Sequence, residues 1–238
     1  MKLYEIQDWI YQHHDEKIKA IYQKNNRLKV IGVKITDLRG LAKSIGINHL
    51  LALECYQLKL YETMMLATMI ADRDQMDMEL MRAWAIGTNQ TNIIDQGLVH
   101  LMIKNPTEFD QYLLWCREDN VHLRYAGFVF LSTYFRQADL DIIQLNMSLS
   151  LLSLIQDTIK DEPLTIQNAM NNAVVMAGLH VPDLVEKANE VAKAIGYILP
   201  LKVKNACNVQ SASDYLLRYR DQPKYSRVAG LNVKHKKE

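Results

Sequence analysis

Apolar side chains recur every three to four positions along almost the whole chain, and short polar or glycine-containing stretches interrupt the pattern. A period near 3.6 residues is typical of amphipathic helices. In GVKITDLRGLAKSIG, residues 32–46, Thr36 is the expected N-cap and Gly46 the expected stop of one helix. The pattern predicts further helices up to about Gln23, at about 47–58, 60–71, 75–86, 90–103, 107–117, 120–136, 142–160, 164–180 and 183–195, and from Ser211 or Ser213 onward.

Three of these helices are apolar around nearly their whole circumference: YETMMLATMIA at 61–71, LRYAGFVFLSTYF at 123–135 and MNNAVVMAGLHV at 170–181. Each carries alanine or glycine, and small side chains let neighbouring helices approach closely. More amphipathic helices lie between them. We therefore expect an all-α fold, a HEAT-like repeat α-solenoid of stacked antiparallel helix pairs, with an irregular α-bundle as the alternative. The expected domains are a single solenoid over 1–217 and a basic C-terminal tail over 218–238.

Composition agrees with the helical interpretation, since 9 Gly and 5 Pro stand against 11 Met among 238 residues. The longest apolar runs are far shorter than the roughly 20 residues that a membrane span needs, and the N-terminus lacks a secretory pattern. A cytoplasmic location is therefore expected. Cys55, Cys116 and Cys207 show no ligand spacing, and no glycine-rich phosphate loop or metalloprotease motif occurs, so neither a metal nor a cofactor is expected.

The C-terminal segment holds an excess of positive charge. From Arg218 to Glu238 there are seven basic and two acidic residues, so the tail carries +5 and the remaining chain −4. This asymmetry suggests a flexible basic arm for a polyanion, although a solvated end explains it equally well. The candidate contacts are Arg218, Arg220, Lys224, Arg227, Lys234, Lys236 and Lys237.

Several stretches together resemble the DNA alkylation repair family of HEAT-like repeat proteins, which includes bacterial alkylpurine DNA glycosylases. They are GVKITDLRGLAKSIG at 32–46, LYETMMLATMIAD at 60–72, LRYAGFVFLSTY at 123–134, MNNAVVMAGLHVPDLVEKANEVAKAIG at 170–196 and NACNVQSASDYL at 205–216. The resemblance covers residues 30–217 and is greatest to a divergent branch of that family. It implies a C-shaped solenoid whose concave, cationic face receives duplex DNA.

The resemblance also implies site residues for removal of N3- or N7-alkylated purines. A carboxylate near the deoxyribose stabilises the positive charge that develops as the glycosidic bond breaks, and an arginine holds the DNA backbone. Asp95, in GTNQTNIIDQG, aligns with the carboxylate, and Arg124, in VHLRYAGF, aligns with the arginine. Active members carry an aromatic residue one helical turn before the aspartate, whereas this chain has Thr91 there. Trp84 lies further upstream and reaches the site only if the helix is shifted.

Each candidate residue also has an ordinary structural explanation. Asn89, Thr91 or Asn92 can cap the helix that follows, and Asp95 can then be an acid in its first turn, where it suits the helix dipole. Arg124 can form a salt bridge to Glu118 or Asp119. Arg39 and Lys43, one helical turn apart, make a plausible phosphate-facing pair, and a solvated helix face explains them as well.

Three functions follow as hypotheses. The chain is a DNA-binding protein that hydrolyses the N-glycosidic bond of alkylated purines, a non-catalytic relative that binds DNA, or a scaffold for a protein partner. Phosphate contacts predict binding that weakens steeply with salt, whereas an apolar groove for a peptide predicts little change.

Overall fold

A computed structural model describes residues 1–24, 26–88, 90–104, 108–137, 139–198 and 211–235, without the side chains of 234 and 235. The chain divides into two compact units, Met1–Pro106 and Thr107–Glu238. Unit 1 contains α1 (Leu3–Gln12), α2 (Glu16–Gln23), α3 (Ile35–Ile45), α4 (His49–Gln57), α5 (Tyr61–Ile70), α6 (Met78–Thr88), α7 (Thr91–Ile93) and α8 (Val99–Ile103). Unit 2 contains α9 (Phe109–Leu114), α10 (Val121–Phe135), α11 (Ile142–Thr158), α12 (Leu164–His180), α13 (Val185–Ile195), α14 (Ala212–Tyr219) and α15 (Arg227–His235).

The core of unit 1 forms around α5, which is buried on every side. Nine of its ten residues are buried, and α3 and α4 pack against it. Such burial requires side chains that are apolar around the whole helix, and Met64, Met65 and Leu66 provide them. The prediction that this segment is an inner helix is confirmed.

One carboxylate lies inside this core. Glu62 has no exposed surface, and its carboxylate accepts hydrogen bonds from the backbone amides of Ile31, Gly32 and Val33, the shortest at 2.7 Å from Gly32. At Gly32 φ is +110°, and an added Cβ would lie 2.6 Å from the carbonyl oxygen of Asp15. Only glycine fits this turn, and the turn aims its amides at the buried charge.

Unit 2 forms around two further inner helices. α10 and α12 pack against each other, and α13 and α14 pack against α12. Ten residues of α10 and ten of α12 are buried, Asn171 among them. The prediction that both segments are inner helices is therefore confirmed. Asn171, an amide with no exposed surface, faces the core.

Several helix boundaries differ from the sequence expectation. The N-terminal helix is two helices, because Asp15 is the N-cap of α2 and accepts hydrogen bonds from the amides of Lys17 and Ile18. Lys34, and not Thr36, is the N-cap of α3, while Gly46 ends that helix as expected. The expected basic arm is helical over half of its described residues, 218–235, as α15.

One stretch, Ile142–Asp161, is long and apolar enough among the described residues to cross a membrane by composition alone, with a mean hydropathy of 1.2. Only 28% of it is buried. Its buried side chains Leu151, Leu152 and Ile155 belong to α11, which packs against α13. In unit 2 this stretch therefore provides an outer helix with an apolar inner face.

We predict that Glu62→Gln lowers the free energy of unfolding by about 3 kcal/mol, because hydrogen bonds to a charged acceptor are worth more than those to a neutral amide. Urea unfolding followed by circular dichroism measures the change. Glu54→Gln, at an exposed position of α4, is the matched control and should change stability by less than about 0.5 kcal/mol. Equal stability of the two variants would contradict the structural role of the Glu62 carboxylate.

Candidate nucleic-acid interface

Unit 1 has an open pocket of about 740 Å³ with an excess of basic residues in its wall. Its lining comes from α3, the end of α5 with the following turn, and the last helices of the unit. The lining residues are Arg39, Ile47, Thr68, Met69, Ala71, Asp72, Arg73, Asp74, Gln96, Gly97, His100, Leu101 and Lys104. We call this the basic pocket.

Two of its basic groups follow from helix geometry. His100 lies in α8 and Lys104 is the C-cap of that helix, so they stand one turn apart on the same face. Arg39 reaches the same region from α3, since it lines the pocket together with His100 and Lys104. The pKa of His100 lies below its usual 6.5, mainly because the imidazole is partly buried and further because the positive charges of Lys104 and Arg39 are near. A bound anion would relieve this repulsion.

Acidic side chains limit the positive charge of the pocket. Arg73 forms an ion pair with Asp74, with 3.2 Å between Nη2 and Oδ1; the Arg73 side chain is 42% exposed and the Asp74 side chain 80%. Asp72 caps the short 3₁₀ turn at Arg73–Gln75. Hydrogen bonds from the Gln75 side chain and from the Asp74 amide lower the pKa of Asp72, so this carboxylate stays charged. The three permanent cations therefore exceed the two anions by one charge.

The helix that supplies part of the pocket is irregular. Residues Ile94–Leu98 form a π-helical segment between α7 and α8, and α5 packs against it. A Cβ at Gly97 would overlap the hydroxyl of Thr68 and lie 2.8 Å from its Cβ. The absence of a side chain at Gly97 thus lets the two helices touch. Such π-helical segments are frequent at functional sites.

Asp95 lies within this π-helical segment and is half-buried. It is not one of the described residues that line the basic pocket, although the next two residues, Gln96 and Gly97, do so. The structural explanation of Asp95 required a helix capped by Asn89, Thr91 or Asn92. The N-cap of α7 is Gln90, so neither Thr91 nor Asn92 has that role. Asn89 lies outside the described residues.

Trp84 does not supply the missing aromatic partner. Its indole stacks on the ring of Tyr56, with centroids 4.1 Å apart and planes 3° from parallel, and only 3% of the residue is exposed. The backbone oxygen of Trp84 also accepts a hydrogen bond from the Tyr56 hydroxyl. This tryptophan packs inside unit 1, where the stack fixes α6 against α4.

Arg124 of unit 2 is held by an ion pair. Its Nε lies 2.9 Å from Oε1 of Glu162, and its Nη2 donates to Oε2 of the same carboxylate over 3.0 Å. Its Nη1 donates to the backbone oxygen of Glu118. The two side chains are 17% and 14% exposed. The structural explanation offered from the sequence was a salt bridge to Glu118 or Asp119, whereas the ion pair is formed with Glu162.

The tail residues differ in their surroundings. Arg218, Arg220 and Lys224 are exposed on α14 and the following turn. Arg227 begins α15 and pairs with Asp139. The Lys234 side chain, Lys236 and Lys237 lie outside the described residues.

The structure brings together only part of what the sequence indicated. Arg39 lines the basic pocket, whereas Lys43 is exposed on α3 outside the described lining. Sequence reasoning missed Arg73, His100 and Lys104. The spacing of His100 and Lys104 was a usable signal, while the approach of Arg73 and Arg39 from other elements was not.

Comparisons with known proteins agree with this fold. The sequence model of a family described as "DNA alkylation repair enzyme" matches residues 6–209. An uncharacterised protein of Listeria monocytogenes is 24% identical over 200 residues, which cover 83% of this chain and 86% of the relative. An uncharacterised protein of Listeria innocua is 23% identical over 198 residues, which cover 82% and 85%.

A solved structure is similar along almost the whole chain. It is described as "a new family of proteins related to the HEAT-like repeat DNA glycosylases with affinity for branched DNA structures". The TM-score is 0.82 at 22% sequence identity, and the match covers 94% of this chain and 96% of the other. The all-α, HEAT-like repeat fold is therefore confirmed.

We predict that Lys104→Gln raises the pKa of His100 toward 6.5, because one of the repelling charges is removed. The titration of the imidazole C–H signals by NMR measures it, with exposed Lys17→Gln as the control. Since the unfolded chain binds this proton more readily than the folded chain, the unfolding free energy should fall as pH drops below 6.5. A His100 pKa of 6.5 or above in the unaltered protein would contradict the expected effect of burial and the neighbouring charges.

Proposed function

The chain belongs to the DNA alkylation repair enzyme family, and from this premise we propose that it binds DNA through phosphate contacts made in the basic pocket of unit 1. The single observation that carries the proposal is the convergence of Arg39, Arg73, His100 and Lys104 on one open pocket. Guanidinium and ammonium groups are the usual partners of DNA phosphates.

The charge balance of the pocket sets the expected strength of binding. Asp72 and Asp74 offset part of the cationic charge, and Asp74 already engages Arg73. We therefore expect a moderate, salt-dependent affinity. The affinity of the structurally similar protein for branched DNA supports a comparison of a four-way junction with a matched duplex, because a junction presents phosphates of more than one helix to a single surface.

Base excision is the second candidate, and the observation that favours it is the position of Asp95. This carboxylate lies in a π-helical segment whose next two residues line the basic pocket. In the proposed hydrolysis the electrons of the glycosidic bond leave with the alkylated purine, and water adds to C1′ and loses a proton to solvent. Asp95 would stabilise the positive charge on the sugar. Arg124 of unit 2, which the family resemblance suggests as a phosphate anchor, would have to give up its ion pair with Glu162 to bind a phosphate.

A protein partner is the remaining alternative. An apolar peptide groove would bind its ligand with little dependence on salt, whereas phosphate contacts release counterions and weaken as salt rises. The salt dependence of binding therefore separates the two classes of ligand without knowledge of the partner.

We predict that Arg39→Gln and Lys104→Gln weaken DNA binding, and that each lowers the slope of log affinity against log salt by about 0.9 for every DNA phosphate that the removed charge had neutralised. Fluorescence anisotropy with a labelled four-way junction and a matched duplex, between about 50 and 200 mM salt, measures both quantities. Arg27→Gln and Lys17→Gln, at exposed positions of the same unit, are the matched controls.

The acidic side of the pocket provides a test of opposite sign. Asp74→Asn should strengthen binding, because it releases Arg73 and removes a charge that repels phosphate. Equal slopes for the pocket variants and their controls, or binding that does not respond to salt, would exclude the basic pocket as the DNA site.

The excision hypothesis predicts release of N7-methylguanine from a defined duplex above the spontaneous rate under single-turnover conditions. Asp95→Asn should reduce that rate by about 100-fold, because a neutral amide stabilises the sugar cation poorly. Asp8→Asn, at an exposed position of α1, should leave the rate unchanged. No release above the spontaneous rate in the unaltered protein would reject base excision of this lesion and leave binding as the function.

A further inference from the structure

Three tyrosine rings are in contact along the C-terminal part of unit 2. Tyr215 and Tyr219 lie one turn apart on α14, with ring centroids 4.4 Å apart. Tyr225 packs against Tyr219 from the turn after the helix, with centroids 4.8 Å apart. We call these three residues the tyrosine row. Tyr225 is 42% exposed, and the other two are half-buried.

Two cations accompany these rings. The guanidinium of Arg218 lies 6.0 Å from the ring centroid of Tyr219, and Nζ of Lys224 lies 5.2 Å from that of Tyr225. Two other basic side chains of the segment have acidic neighbours, since Arg220 pairs with Asp221 and Arg227 pairs with Asp139. Exposed aromatic surface and positive charge therefore occur together at one end of the tyrosine row.

Hydrogen bonds hold the segment in place. The Gln222 side chain donates to the backbone oxygen of Arg218 over 2.7 Å, and the Tyr225 amide donates to the backbone oxygen of Gln222 over 2.9 Å. Ser226 is 1% exposed, and its hydroxyl donates to the backbone oxygen of Leu179 over 3.0 Å, which joins the turn to the end of α12. A surface fixed in this way loses little entropy when a ligand binds.

We propose that the tyrosine row, with Arg218 and Lys224, is a second binding site that takes single-stranded DNA. Bases stack on the exposed ring of Tyr225, and the flanking phosphates lie near the two cations. A row of aromatic faces edged by positive charge complements unpaired bases on a polyanionic backbone. Paired bases inside a duplex do not offer their faces, so this site selects unpaired nucleotides. The inference rests on the proposed function, because the ligand is DNA in both. It differs in the surface, which lies in unit 2, and in the form of DNA, which is single-stranded.

The test compares two oligonucleotides that differ only in their bases. A labelled oligothymidylate and an abasic oligonucleotide of the same length are bound to the full chain, and fluorescence anisotropy measures the affinity for each. The unaltered protein should prefer the thymidine strand by about tenfold, the effect expected of stacking one base on an aromatic ring. Tyr225→Leu should abolish that preference without changing the affinity for the abasic strand, and Tyr225→Phe should keep it.

Further variants separate the cations from the rings. Lys224→Gln should lower the affinity for both strands equally, because it removes a phosphate contact and no base contact. Lys160→Gln, at an exposed position of unit 2, is the matched control. Tyr11→Leu, at an exposed tyrosine of unit 1, should leave the preference for thymidine unchanged. Circular dichroism verifies the fold of each variant. Photo-crosslinking of a 5-iodouracil strand to the unaltered protein, mapped by mass spectrometry, needs no substitution and should label Tyr225.

Equal affinity of the unaltered protein for the two strands would overturn the proposal, as would an unchanged preference in Tyr225→Leu or crosslinks that fall outside Tyr215–Tyr225. If this surface binds a protein in place of DNA, the unaltered protein should show no preference for the thymidine strand, with the same consequence. The proposed function fails separately. If Arg39→Gln and Lys104→Gln leave the affinity for duplex and junction unchanged, the basic pocket is rejected. The preference for the thymidine strand still tests the tyrosine row in that case.

Discussion

Three helices that are apolar around their whole circumference impose the main constraint on this protein. A helix such as α5, α10 or α12 is stable only if other helices cover it on every side, because each large apolar side chain left in water forgoes roughly 1.5–3 kcal/mol. The amphipathic helices of each unit provide that cover. The inner helices still carry a few polar groups, such as Glu62 and Arg124, but the charged groups of the basic pocket and of the tyrosine row lie on other helices and in turns.

Two departures from regular apolar packing shape unit 1. Glu62 is a charge inside the core, and it is tolerated because three backbone amides of the 31–33 turn converge on it. The π-helical segment at Ile94–Leu98 adds a residue to its turn. An extra residue rotates the following helix by about 100° relative to a regular continuation. That rotation sets the direction in which His100 and Lys104 point.

The electrostatics of the two units differ in kind. In unit 1 the cations of the basic pocket come from separate elements and remain largely exposed, so an anion can approach them without breaking a buried pair. In unit 2 Arg124 is paired with Glu162, and both side chains are mostly buried. Separating such a pair exposes each charge to a large desolvation penalty. Arg39 and Arg124, both singled out from the sequence, thus have opposite physical roles.

Most helices followed from the sequence alone, because period and composition are local properties and three segments were too apolar to lie anywhere but inside. The break between α1 and α2, the π-helical segment at Ile94–Leu98 and α15 were not predicted. The caps at Gly46 and Ser211 were readable for the same reason, and the family resemblance was carried by these stretches. Tertiary structure decided the rest. The pairing of Arg124 with Glu162, the stack of Trp84 on Tyr56 and the meeting of Arg39 with His100 all join residues far apart in the chain. Helical period places a residue on a face of its helix, but which side chain it meets there depends on how the helices pack.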